Sequence, residues 1–145
     1  MRWLYLTYVV YWSAFLITIL LTAAGHPPIR PEEVAQAMNE TSALPYEQRF
    51  AQAAADFVIV AALSYPALLY AAPTYGAVTA AVATAFGASQ ALFHAAVYHV
   101  ALFFMEEVAR WHPVAQRLGK SGRVEWGRYI LWVIASISLA GVLSL

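Results

Sequence analysis

The residues able to do chemistry are few and crowded into one stretch. Residues 90–107, QALFHAAVYHVALFFMEE, hold Gln90, His94, His99, Glu106 and Glu107 inside an otherwise apolar run. An imidazole can ligate a metal, hydrogen-bond a carbonyl or carry a proton. His94 and His99 are five residues apart, so on a helix they diverge by roughly 140° in direction and about 7.5 Å along the axis. That spacing excludes a single metal ion gripped by both from one helix. Each imidazole needs a partner from another helix, and membrane b-type haems and quinone sites draw on histidines in that way. His94, His99 and Gln90 are therefore the candidate contacts for haem b or a quinone. The alternative is that the histidines only hydrogen-bond across helices.

A second helical face carries His99, Phe103, Glu106 and Arg110 at spacings of four, three and four. Glu106 and Arg110 are expected to pair there, with His99 on the same stripe. Ionisable groups inside a membrane mark relays, so His99 and Glu106 form a candidate proton path. His26 in GHPP and His112 in RWHP read as interfacial residues.

Other chemistry is excluded by what is missing. There is no cysteine, hence no thiolate ligand, disulfide or c-type haem attachment. No Glu-x-x-His of a di-metal bundle, no HExxH, no phosphate-cradling glycine loop and no nucleophile elbow occurs. The reading contains no catalytic residue, no metal site and no complete catalytic set, so the chain is expected to have no activity by itself. Net charge is zero, and no basic surface argues for nucleic acid.

The elements that must position these residues follow from composition. Of 145 residues 62% are hydrophobic and 11% charged, too few charges to coat a water-facing surface. A helix needs roughly 20 apolar residues to cross a bilayer. This predicts an all-α, polytopic integral membrane protein, one membrane domain over residues 1–145 with about four transmembrane helices at 3–24, 50–71, 76–105 and 129–145. The first, WLYLTYVVYWSAFLITILLTAA, is longer than a signal core and is expected to be retained. AAPTYG at 71–76 is the expected turn between the second and third spans. An interfacial helix is expected at 31–45, opening at Pro31 with Glu32 and Glu33 in its first turn and with a second start at Pro45. A polar connection covers 106–128.

Seven of the eight basic residues fall in the two longer connections, among them Arg30, Arg49, Arg110 and Lys120, against Arg2 alone elsewhere. Charge bias therefore predicts a multi-pass protein of the cell membrane with both longer connections cytoplasmic and both termini outside. The sequon NET at 39–41 points the other way. Trp3, Tyr5, Tyr8, Trp126, Tyr129 and Trp132 suit interfacial belts.

Small and hydroxyl residues recur at helical spacing: Thr7, Tyr11, Ala14, Thr18 and Thr22; Gly76, Ala80, Ala83 and Gly87, extended by Gln90 and His94; and Ser136, Ala140 and Ser144. Such seams let helices approach closely in lipid. They suit a self-contained bundle or contacts with other membrane subunits or copies of the chain. Three functions remain open. One is a small anchor and helix scaffold in an energy-transducing or electron-transfer complex such as a respiratory chain. The second is a self-assembling structural membrane protein of a surface filament or virion. The third is a small oligomeric transporter or channel.

Overall fold

An apolar stretch without a breaker can satisfy its backbone bonds only within itself, and the chain answers with helices. The computed structural model describes residues 2–119 and 123–145; Lys120 lies outside them, as do the side chains of Arg2 and Trp3. Within them run α1 (Arg2–Ala23), α2 (Pro31–Ala43), α3 (Tyr46–Leu63), α4 (Tyr65–Phe86), α5 (Ala88–Trp111), α6 (Pro113–Leu118) and α7 (Trp126–Leu143). Four of these, α1, α4, α5 and α7, are long and apolar enough to cross a membrane. α3 is less apolar and carries Glu47, Arg49 and Asp56 in its first three turns.

The turn expected at 71–76 does not form. Those residues lie inside α4, which runs through Pro73. Proline removes one helix bond, whereas a full turn in apolar surroundings would strand several backbone groups. Nearby, the Thr74 hydroxyl donates to the Tyr70 carbonyl at 3.0 Å. The break falls instead at Gly87, whose φ of +86° only glycine adopts readily, amid exposed residues 84–90. The expected third span at 76–105 is therefore two helices. A second break sits at Ser64, between α3 and α4, with the strained φ of +59°.

Contacts divide the chain into two compact units, to each of which α4 and α5 contribute a part. The first comprises residues 1–44 and 69–100. In it α4 and α5 form an antiparallel hairpin about Gly87, shown by Tyr75 stacking on Tyr98 at 4.4 Å. α1 runs parallel to α4: the Tyr11 hydroxyl meets Thr79 Oγ1 at 2.7 Å, and Phe15, one turn on, lines a cleft with Ala83. Gly76 serves this approach rather than a turn, because a Cβ there would collide with the Tyr11 carbonyl oxygen. α2 lays Val34 against Ala81 and Val82, near the end of α4.

The second unit comprises residues 45–68 and 101–145. Here α3 and α7 run antiparallel: the Tyr129 hydroxyl donates to the Ala61 carbonyl at 2.7 Å, and the Tyr46 hydroxyl to that of Gly141 at 3.3 Å. The Ser64 hydroxyl donates to the Ala109 carbonyl at 3.0 Å, tying the break to α5.

Candidate functional site

The richest chemistry in the first unit gathers around His99. Tyr8, Tyr11 and Trp12 occupy one face of α1 at spacings of three and one, so they reach one neighbour together. Tyr8 stacks on the imidazole at 5.0 Å and 15°, Tyr11 meets it edge-on at 4.7 Å, and Trp12 lies tilted at 5.4 Å. Tyr8, expected in an interfacial belt, is thus part of a ring cluster between α1 and α5. His99 Nδ1 lies 2.6 Å from the Ala95 carbonyl oxygen. A carbonyl can only accept, so Nδ1 carries the proton and a neutral His99 has its lone pair on Nε2.

His94 sits in different surroundings, half-buried and edge-on to Phe93 at 6.0 Å and Tyr98 at 5.7 Å. Gln90 is exposed on the first turn of α5. The seam expected to run from Gly76 through Gly87 to Gln90 and His94 is interrupted, because Gly87 ends one helix and the next starts a new rotation. Beside the hairpin tip an open, almost wholly apolar cleft of about 160 Å³ is floored by Ala83, Ala88, Ala91 and Ala95 and walled by Trp12, Phe15 and Leu92.

The second unit holds Glu106, buried at 4% exposure within electrostatic range of Tyr65, Glu107 and Arg110. The expected Glu106 to Arg110 pair is not the one formed. Arg110 binds Glu107 Oε1 at 3.4 Å, and the Trp111 indole donates to the other oxygen of Glu107 at 3.0 Å. Arg110 stays exposed beside Glu107, whose side chain is itself largely covered, whereas Glu106 faces inward. Among the described residues, no three His, Asp or Glu side chains come together as a metal-holding group.

Sequence reasoning missed the aromatic partners of His99. The signal was present in Tyr8, Tyr11 and Trp12, but Tyr8 was assigned to a belt, Tyr11 to a polar stripe and Trp12 to neither. No protein-family model, no curated protein and no solved structure matches the chain.

Proposed function

We propose that the chain is a small multi-pass membrane subunit, an anchor and helix scaffold in a larger energy-transducing or electron-transfer complex, with His99 as its point of contact with a haem or quinol. The observation that carries the membrane part is an inverted distribution of residues. Large apolar side chains such as Tyr5, Leu16, Leu20, Leu92, Phe93, Leu131 and Ile134 face outward in greater number than those, such as Leu68, Leu102 and Met105, that are buried, while Thr7, Thr18, Thr79, Ser136, Ser144 and many alanines share the interior. Water would drive the large groups inward, whereas lipid leaves close packing and polar contacts as the glue.

The His99 tautomer narrows the cofactor reading. An unprotonated Nε2 suits haem iron, or a quinol hydroxyl that donates to it, better than a quinone carbonyl that needs a donor. Bound haem would supply one-electron chemistry, with Tyr8, Tyr11 and Trp12 fixing the plane of the imidazole.

Topology in the bilayer also belongs to this proposal. Arg110, Arg117, Lys120, Arg123 and Arg128 mark the connection between α5 and α7 as cytoplasmic.

The test is purification in native nanodiscs, with visible spectroscopy and native mass spectrometry. A defined hetero-complex with a Soret band that His99→Phe abolishes is expected. A colourless homopolymer or a lone monomer overturns the reading.

A further inference from the structure

Residues 112–119 and 123–126 carry exposed side chains that the scaffold reading does not use. One residue separates α5 from α6 and seven separate α6 from α7, so this segment is tethered at both ends to helices of membrane-crossing length. Gln116, 8% exposed, holds it in shape: its Nε2 donates to the Trp111 carbonyl and its Oε1 accepts the Glu125 N–H at 2.7 Å. The His112 ring packs edge-on against Tyr129 at 5.6 Å, and its Nδ1 accepts the Val114 N–H at 3.2 Å.

With Gln116 turned inward, the opposite face of α6 presents Val114, Arg117 and Leu118 at spacings of three and one. Val114 is 55% and Leu118 84% exposed. Exposed Arg123 and Trp126 follow. The flanking arginines are already engaged: Arg110 with Glu107, and Arg128 with Glu125 at 2.9 Å and over the Trp111 ring at 4.5 Å. Among the described residues, Arg117 and Arg123 have no carboxylate within ion-pair distance. From residue 110 to 128 the sequence holds five basic residues and one acidic.

We infer that this face is a docking surface for the headgroups of anionic phospholipids. Arg117 and Arg123 take the phosphates, Val114 and Leu118 enter the acyl boundary, and Trp126 sits at headgroup level. A soluble acidic protein would match the charges, but it would not account for two exposed aliphatic side chains on the same turn as an arginine, at the foot of two membrane-length helices. The inference rests on the membrane reading of the preceding section.

The test is native mass spectrometry of the detergent-solubilised protein titrated with phosphatidylglycerol or phosphatidylcholine. The wild type is expected to prefer phosphatidylglycerol by at least about fivefold, each free arginine contributing up to about that factor. The preference should fade in about 0.5 M salt. R117Q/R123Q should bring the two lipids to within about twofold, R117K/R123K should retain the preference, and R30Q, whose partner is Glu33, should leave it unchanged. Equal binding of both lipids by the wild type, or an undiminished preference in R117Q/R123Q, overturns the proposal. Extraction of the wild type from vesicles by alkaline carbonate sinks the membrane reading itself. Retained insertion without lipid preference sinks only this inference.

Discussion

The two units solve the same problem with different chemistry. In the first, helices meet through rings and one hydroxyl pair: His99 among Tyr8, Tyr11 and Trp12, Tyr75 on Tyr98, and Tyr11 with Thr79. In the second, Phe103 and Phe104 also meet Trp132 edge-on, but hydroxyls add bonds across to backbone carbonyls, from Ser64 to Ala109, Tyr129 to Ala61 and Tyr46 to Gly141. Ring packing depends on close backbone approach and is intolerant of added volume. Carbonyl capping depends on single atoms and should lose stability in small, separable steps.

The largest expected effect tests that intolerance. Gly76→Leu drives a side chain into the Tyr11 carbonyl, and α1 must move away from α4. A loss of about 3 kcal/mol or more is expected in SDS-titration unfolding from bicelles. Gly127→Ala in α7, where a Cβ meets nothing within 4 Å, should be neutral or slightly stabilising. Equal losses for the two would break the contrast between the units.

Next in size is His99. His99→Ala removes contacts with three rings and should cost about 2–3 kcal/mol, each aromatic pair contributing about 0.5–1.5 kcal/mol. His99→Phe keeps the rings packed and loses only the Ala95 contact, so about 1 kcal/mol is expected. The same unfolding assay separates them, and an equal loss would show that the imidazole nitrogens, not the ring stack, hold α1.

How much of this was legible follows from what each residue must do. Helicity and apolar length were readable because they depend on the local run of side chains, and α2 opens at Pro31 as its sequence suggests. The helix breaks were not. Pro73 and Gly76 look like a turn, yet Gly76 is small because Tyr11 lies against it, a fact held by a partner 65 residues away in sequence. Ser64 with Pro66 two residues on is a helix-start signal that went unread inside an apolar run, and its left-handed backbone is sustained by the hydroxyl bond to Ala109. His99 was visible as a candidate, but its partners belonged to another helix, and spacing within one helix cannot say which face of the next it meets.

Ser64 gives a mid-sized test of the second unit. Ser64→Ala loses the bond to Ala109 and keeps the strain, whereas Ser64→Gly loses the bond and relieves it. The glycine variant should therefore be the more stable of the two by about 1–2 kcal/mol, read in the same titration. The opposite order would mean that the conformation at residue 64 carries no strain.

The smallest effects come from the tyrosine caps on α3 and α7, where burial and distance rank two bonds of the same kind. The Tyr129 hydroxyl is partly buried and 2.7 Å from its carbonyl, while that of Tyr46 is exposed and 3.3 Å away. Hydrogen bonds between membrane helices average about 0.6 kcal/mol. Tyr129→Phe should cost about 1–1.5 kcal/mol, because Ala61 lies in the last turn of α3, where its carbonyl has no partner within that helix, and the short bond from Tyr129 is lost in apolar surroundings. Tyr46→Phe should fall below about 0.3 kcal/mol, because water or headgroups replace a long, exposed bond while the ring keeps its place beside Phe50. Being far apart along antiparallel helices, the two losses should add in the double variant. A double loss well above the sum would show that α7 detaches from α3 as one body, and the second unit would then be as cooperative as the first.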